Sequence, residues 1–195
     1  MNDAPLRRIW LCADDYGLAE GVNRAIRDLI SRGRLNATSV MVVGAAIGRS
    51  EVAALQDVAA NSPHCKIGLH ATLTAPFRPL TMHFRPTDGG LFLPFPNLLR
   101  AGLLRRLDPE MIEYELLAQL AAFKELFGRA PDFAVLMGQF LSGMPEGGLV
   151  MCHPGFVDET LRSLDPLTTQ REAEHAYLAS DRFPALLAAN KVTLS

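Results

Sequence analysis

The sequence predicts a single α/β domain built on a parallel sheet, and three observations lead to this prediction. Short apolar runs rich in β-branched residues alternate with runs whose apolar residues recur at helical spacing. The links between the first five runs are short, as is usual where helices connect parallel strands. A chain of 195 residues with 49% hydrophobic and 21% charged residues is ordinary for one globular domain with a sizeable core.

The first half of the chain shows this alternation most clearly. Strand one is predicted over 8–13, and the helix after it ends at Gly33, a residue suited to the position that follows a helix. The run 37–43 predicts strand two, a second helix is predicted from Ser50, and strand three covers 66–73. This order of strands and helices predicts a parallel sheet.

The second half contains a long irregular stretch and further helices. Residues 74–96 include five prolines and four phenylalanines, which predicts a packed loop that shapes the substrate site. Asp108 and Pro109 are the expected cap and first residue of a helix that closes at Gly128. The other predicted elements are a helix over 132–141, a buried strand over 149–152, a helix capped by Thr169 that runs to Ala179, a short helix from Phe183 and a strand over 192–194.

The charge and cysteine content exclude several classes of protein. Lys and Arg are scattered and the net charge is -2, so no nucleic acid partner is expected, and residues 100–106 are interpreted as a basic helix face. Three cysteines without a C-x-x-C pair argue against a disulfide framework. No apolar run suits a signal peptide or a membrane span, so we expect a soluble cytoplasmic protein. The oligomeric state stays open, with a homodimer as one expectation.

Two adjacent carboxylates, Asp14 and Asp15, follow the first predicted strand directly and precede a helix. In parallel α/β sheets, ligands bind at the carboxyl ends of the strands. Two anions side by side repel each other unless a cation or a proton separates their roles, so one can hold a metal while the other acts as a base. The alternative is that one of them only caps the helix.

Two histidines occupy matching places on other predicted strands. His70 lies late in strand three, and His153 follows the strand over 149–152. Because the carboxyl ends of parallel strands meet on one face, these histidines are expected near Asp14 and Asp15. A purely structural role is the alternative for each histidine alone, and the agreement of three strand ends favours a functional site.

The other candidate groups have no predicted role. His64, at the opposite end of strand three, and His83, in the long loop, are expected on the surface. His175 is expected on a solvated helix face, and Arg171 with Glu172 in a local ion pair. The chain has no G-x-S-x-G elbow, no G-x-G-x-x-G fingerprint and no P-loop, so nucleotide cofactors are unsupported.

Three segments occur in a fixed order along most of the chain. They are Ala13-Asp14-Asp15-Tyr16-Gly17-Leu18, Gly68-Leu69-His70-Ala71-Thr72-Leu73-Thr74 and Cys152-His153-Pro154-Gly155. Together they resemble the motifs of the YdjC-type carbohydrate deacetylases, which include chitooligosaccharide deacetylases and deacetylases linked to hopanoid biosynthesis. The resemblance implies a distorted (β/α) barrel of the TIM type that holds one divalent metal ion, either Zn or Mg or another divalent ion.

The resemblance also implies a role for each site residue. Asp15 and His70 are then metal ligands, Asp14 is the general base, and His153 is a catalytic or site-lining histidine. The implied reaction removes acetyl groups from a small N-acetylated sugar or oligosaccharide. Asp14 takes the proton of the attacking water, and His153 either protonates the departing amine or serves as a further ligand.

One motif of the family has no counterpart in this sequence. A His-x-His motif that supplies the third metal ligand is expected after Phe133, where this chain continues directly with Ala134. We therefore expect a single domain over 1–195 with a segment missing between 133 and 134, and part of the barrel with it. Either the protein is a shortened relative or the sequence joins two pieces around an absent segment. Five strands are too few for a closed barrel of eight, which fits either account. The second is favoured because an internal loss of core strands should leave a domain that cannot close.

Two other functions compete with deacetylation. A catalytically impaired sugar-binding or scaffold relative would lack the third metal ligand and bind sugar without turnover. A metal-dependent phosphoesterase on the same barrel would need Arg or Lys at the strand ends to meet phosphate, and the sequence shows none there. Deacetylation is therefore preferred.

Overall fold

The computed structural model describes residues 7–128, 148–164, 168–189 and 192–194. The strands are β1 (Arg7–Tyr16), β2 (Ala37–Val40), β3 (Lys66–Leu69), β4 (Thr87–Asp88), β5 (Leu91–Phe92), β6 (Gly148–Cys152) and β7 (Val192–Leu194). The helices are α1 (Glu20–Ser31), α2 (Arg49–Ala60), α3 (Phe95–Leu103), α4 (Pro109–Phe127), α5 (Glu159–Leu164), α6 (Thr168–Ala179) and α7 (Arg182–Ala189).

A five-stranded sheet organises the molecule around β1. The strand order is β3-β2-β1-β6, and β7 also pairs with β1 along Arg7–Ile9. All of these pairings are parallel, whereas β4 and β5 form a separate antiparallel pair. The predicted α/β fold with a parallel sheet is therefore confirmed. Within the described ranges the sheet is open and forms no closed barrel.

The hydrophobic core lies where α1 packs against β1 and the neighbouring helices α2, α5 and α6. Apolar side chains recur along α1 at helical spacing, so one face of the helix can be removed from water. Five of them are fully buried, namely Val22, Ala25, Ile26, Leu29 and Ile30. Gly33 follows this helix with a φ of 65°, in the left-handed conformation predicted for it.

Strands two and three end earlier than the sequence predicted. β2 stops at Val40 because the Met41 N–H then donates to the Tyr16 carbonyl at 2.8 Å and the chain turns. β3 stops at Leu69, and soon afterwards the backbone of Thr72 bonds to a side chain of α4 instead of to a strand. Tertiary contacts, which local apolar patterning does not report, set both boundaries.

The predicted irregular stretch over 74–96 is more ordered than expected. It contains the β4–β5 hairpin and the start of α3. Phe84 and Phe92 are buried and their rings meet edge to face, with centroids 5.1 Å apart, so the loop is packed as predicted. The predicted helix face over 100–106 is wrong in extent, because α3 ends at Leu103 and Arg105 has a φ of 54°.

The later elements agree with most of the predictions. The Asp108 side chain accepts a hydrogen bond from the Glu110 N–H at the start of α4, and Gly128 ends that helix with a φ of 74°. The observed β6, α7 and β7 match the predicted elements closely. Thr169 lies inside α6, which begins at Thr168, rather than at its cap. The helix predicted over 132–141 lies outside the described residues.

None of the described helices combines the length and the apolar character that a bilayer span requires. All three cysteines are free thiols, with Cys152 buried on β6 and Cys12 half-buried on β1. Cys65, half-buried, precedes β3.

Candidate functional site

The carboxyl ends of β1, β3 and β6 meet at one edge of the sheet. Ala13 is paired with Cys152 across β1 and β6, so Asp14 and His153 continue neighbouring strands from matching positions. Val40 is paired with Leu69 across β2 and β3, and His70 follows directly. The structure thus places the two aspartates and both predicted histidines at the same edge, as strand-end placement predicted.

Asp14, Asp15 and His70 form a compact group of possible ligands at this edge. One ligand atom from each of the three lies within 4.8 Å of the others. His70 Nδ1 is 2.8 Å from Asp14 Oδ1 and 3.4 Å from Asp15 Oδ1. Asp14 is buried, and the other two residues are half-buried, so the group is partly shielded from solvent. This donor set of one imidazole and two carboxylates can hold a divalent cation.

β1 continues beyond its predicted end at residue 13, so both aspartates lie within the last residues of this strand. Its pairing with β2 is irregular between Ala13 and Tyr16, and the two aspartates take different orientations there. Asp15 has a φ of 69°, in the left-handed region that aspartate enters more readily than most residues. Gly17 follows with a φ of 103°, and a Cβ there would lie 2.8 Å from the Met41 carbonyl oxygen. Only glycine therefore fits this turn without displacing the chain after β2.

A partly buried polar network holds Tyr16 and Gly17, at the end of β1, in place. The Asn23 side chain accepts a hydrogen bond from the Gly17 N–H at 2.6 Å and donates to Glu51 at 3.0 Å. Arg27 pairs with the same Glu51 carboxylate and donates to the Tyr16 hydroxyl at 2.6 Å. The start of α2 is thereby linked to the end of β1, which carries the aspartates.

Ser39 is a member of the site that the sequence analysis missed. It lies on β2, between the strands that carry Asp14 and His70, and its hydroxyl donates to Asp14 Oδ1. Its Oγ atom is also 3.4 Å from His70 Nδ1. Serine within a β-branched run carries no distinctive signal, and only the parallel register brings it to the site.

Arg171 is the second missed residue, and the local ion pair predicted for it with Glu172 is not its main contact. Its guanidinium is buried and donates to Asp15 Oδ2 at 2.8 Å. Its backbone carbonyl accepts from the Gly155 N–H at 3.1 Å. A sequence separation of 156 residues between Arg171 and Asp15 left no local pattern to reveal this pair.

His153 is exposed and is anchored through its backbone. Its N–H donates to the Glu174 carboxylate on α6 at 2.6 Å. His64 and His83 are exposed, as predicted. The prediction for His175 was wrong, because its side chain is half-buried and lies 2.9 Å from Asp28 on α1.

The charges at the site act on His70. Burial lowers the pKa of this imidazole, but the hydrogen bond and charge of Asp14 and the charge of Asp15 outweigh burial and raise it above 6.5. His70 therefore keeps a positive charge over a wider pH range than a free imidazole does.

Comparison with known proteins places this arrangement in a family. The chain is 28% identical to the carbohydrate deacetylase of Vibrio cholerae over 241 residues, which cover 94% of this chain and 92% of that protein. It is 31% identical to the chitooligosaccharide deacetylase of Escherichia fergusonii over 135 residues, covering 64% of this chain and 46% of that relative.

A solved structure supports the same fold. A crystal structure from Enterococcus faecalis, described provisionally as a cellobiose-phosphate cleavage protein, superposes with a TM-score of 0.76. The superposition covers 97% of each chain at 17% sequence identity, so the likeness concerns the fold alone.

The model of the YdjC-like protein family matches residues 8–134, which include the aspartate pair and His70. The chain therefore belongs to the YdjC-like protein family.

Proposed function

We propose that this protein is a metal-dependent deacetylase that hydrolyses the amide of N-acetylated amino sugars. The observation that carries this proposal is the group of Asp14, Asp15 and His70 at one sheet edge. Two relatives named as deacetylases of carbohydrate or chitooligosaccharide support a small N-acetylated sugar or oligosaccharide as the substrate.

The chemistry of the donor set supports one divalent ion as the cofactor. An imidazole nitrogen beside carboxylate oxygens suits zinc or another first-row ion, and suits magnesium less well. Asp15 and His70 are the proposed ligands, which leaves Asp14 as the base. When bound, such an ion lowers the pKa of water toward ~7 and polarises the acetyl carbonyl.

The residues of this chain have distinct proposed tasks. Asp14 takes a proton from the attacking water, and the hydroxyl of Ser39 holds its Oδ1 atom for that task. The water oxygen bonds to the acetyl carbon and the carbon–nitrogen bond breaks, which releases acetate. His153, on the neighbouring strand end, supplies the proton that the departing amine needs. Service as a third metal ligand is the alternative task for His153.

A single domain with a break between 133 and 134 remains our proposal for the chain. The family match ends at residue 134, next to that position. The alignment with the Vibrio relative runs over 241 residues although this chain has 195, so at least 46 residues of that alignment have no partner here. Both observations support an absent internal segment, and we propose that this segment carries the missing ligand.

Phosphoester hydrolysis is less well supported. No arginine or lysine was expected at the strand ends, yet Arg171 reaches the site from α6. Its guanidinium is already paired with Asp15, so Arg171 offers little to a phosphate.

The location and the partners of the protein are also proposals. We propose a cytoplasmic location, which the three free thiols support, with no nucleic acid partner and with a homodimer still a prediction.

Substitution of the proposed base tests the function. Asp14→Asn keeps the shape of the side chain and removes its basicity, so we expect acetate release from di-N-acetylchitobiose to fall by about 10²- to 10⁴-fold. Chelation of the wild-type protein with EDTA should abolish release, and zinc should restore it. The matched control is Asp57→Asn, at an exposed position on α2, which should leave the rate unchanged.

Two results would contradict the proposal. Full activity in Asp14→Asn would remove Asp14 as the base. Binding of the sugar by the wild-type protein without acetate release, with zinc present, would instead support the impaired sugar-binding or scaffold relative.

A further inference from the structure

Helix α3 presents an apolar stripe to the outside of the molecule. Phe95, Leu99 and Leu103 are spaced four residues apart, so they lie along one side of the helix. Their exposed fractions are 64%, 51% and 78%. In the described part of the chain, α3 does not pack closely against any other helix or strand. An apolar surface of this kind usually marks an interaction site.

Positive charge accompanies the apolar stripe. Arg100 lies on α3, Arg105 and Arg106 follow its end, and all three are exposed. Among the described residues none of the three has an ion-pair partner within 4.0 Å. The whole segment 71–107 has five arginines and one acidic residue, Asp88, whereas the complete chain has an excess of acidic residues. The apolar stripe therefore lies in a basic segment of a mildly acidic protein.

The charge distribution points to an anionic partner. A symmetric contact between two copies of this chain through α3 would place the arginine clusters of both copies together, and like charges oppose such a contact. A nucleic acid offers phosphates to the arginines but no apolar phase for Phe95, Leu99 and Leu103. A bilayer that contains anionic lipids satisfies both sets of side chains, since a short helix can lie in its interface.

We infer that α3 is a docking surface for anionic membranes. This surface consists of Phe95, Leu99 and Leu103 with Arg100, Arg105 and Arg106. The apolar side chains enter the headgroup boundary while the arginines meet the lipid phosphates. Because α3 spans only nine residues, the attachment is peripheral, reversible and sensitive to salt. Membrane attachment through α3 would decide where the protein is located, and it does not depend on the proposed deacetylation.

A fluorescent reporter on the surface tests the inference directly. Phe95→Trp adds an indole to the apolar stripe, and the wild-type spectrum, which contains Trp10 alone, is subtracted. We expect a blue shift when vesicles of phosphatidylcholine with 30% phosphatidylglycerol are added, and quenching by brominated lipid. Pure phosphatidylcholine should give little effect. Tyr114→Trp, on an exposed part of α4, is the reporter control and should not shift.

Charge reversal tests the arginines by vesicle sedimentation. The triple variant R100E/R105E/R106E should partition at least about tenfold more weakly than the wild type, since each arginine near an anionic surface contributes to binding. The control variant R24E/R49E/R162E has the same net charge but alters exposed arginines elsewhere. The partitioning of this control variant onto the vesicles should stay within about twofold of the partitioning that its net charge alone predicts.

Four results would overturn the inference. Equal losses in the two triple variants would show that net charge, not α3, governs binding. An unshifted Phe95→Trp spectrum would show that the stripe does not enter lipid. A spectrum already blue without vesicles would show that the stripe is covered by the chain itself or, if light scattering gives a dimer, by a second copy. Binding to duplex DNA but not to vesicles would assign the surface to nucleic acid.

Discussion

Although Asp14 and Asp15 are adjacent in sequence, their carboxylates have different partners. The Oδ1 atom of Asp14 accepts a hydrogen bond from the Ser39 hydroxyl and lies 2.8 Å from His70 Nδ1. Asp15, in the left-handed conformation, turns its Oδ2 atom to Arg171 and leaves Oδ1 3.4 Å from His70 Nδ1. Because Arg171 binds the Oδ2 atom of Asp15, the Oδ1 atom of Asp15 is left to face His70. This difference supports separate roles for the two aspartates.

If Asp15 is a metal ligand, as proposed above, Arg171 positions that ligand through its pair with Asp15. We expect Arg171→Met to weaken zinc binding by about 10- to 100-fold, since loss of a partner that orients a ligand has effects of this size. Arg171→Lys should also weaken binding, because a single ammonium cannot replace the planar guanidinium. Competition with a chromophoric chelator measures the affinity. Arg162→Met, at an exposed position on α5, is the control, and zinc affinity equal to the wild type in both Arg171 variants would contradict the role.

At the scale of elements, α4 fastens the loop that follows the site. Gln119 is fully buried, accepts from the Thr72 N–H at 3.0 Å and donates to the Thr72 carbonyl at 2.7 Å. One turn earlier, the buried Glu115 carboxylate accepts from the N–H groups of Leu80 and Thr81 at 3.0 and 2.9 Å. The chain from His70 to the β4–β5 hairpin is thus held by two side chains of one helix.

Loss of this attachment should destabilise the protein. Gln119→Leu leaves a buried N–H and a buried carbonyl of Thr72 without partners, so we expect a loss of about 2–4 kcal/mol in the free energy of unfolding. Urea denaturation followed by circular dichroism measures this loss. Gln56→Leu, an exposed position on α2, should change it by less than about 0.5 kcal/mol. A loss below about 1 kcal/mol in Gln119→Leu would argue against the attachment.

At the scale of the whole molecule, Gly21 joins the first helix to a loop in the second half of the chain. The Phe156 N–H donates to the Gly21 carbonyl at 3.0 Å, and the Gly21 N–H donates to Asp158 at 2.8 Å. A Cβ at Gly21 would lie 1.8 Å from the Phe156 carbonyl oxygen. The start of α1 therefore touches the loop between β6 and α5 without room for a side chain.

Gly21→Ala should separate these two segments. Because the new methyl group meets backbone rather than a movable side chain, we expect a loss of about 1–3 kcal/mol in unfolding free energy. The urea midpoint measures it. Gly102→Ala is the control, because it lies inside α3 and its added Cβ comes no closer than 3.5 Å to the Leu107 side chain, so it should cost no stability. A Gly21→Ala variant as stable as Gly102→Ala would show that the loop moves away freely.

The folded chain should also protect its thiols. Burial raises the pKa of Cys65 to about 11, against a smaller lowering by Lys66, and burial and the Asp14 charge raise that of Cys12 to about 12. At pH 8 both groups are then almost entirely protonated thiols, which do not attack alkylating reagents. We expect iodoacetamide to label Cys65 roughly a hundredfold more slowly in the native protein than in 6 M urea. Equal rates by mass spectrometry would contradict this protection.

Local pattern by itself determined the alternation of strands and helices, the caps of α4 and the strand-end positions of Asp14, Asp15 and His70. These features depend on residues close in sequence, and parallel strands bring their carboxyl ends to one edge. Tertiary structure alone decided that Arg171 meets Asp15, that Ser39 meets Asp14, and that α4 holds the loop after β3. Those contacts join residues 25 to 156 positions apart, and only the packing of whole elements sets which distant side chains become neighbours.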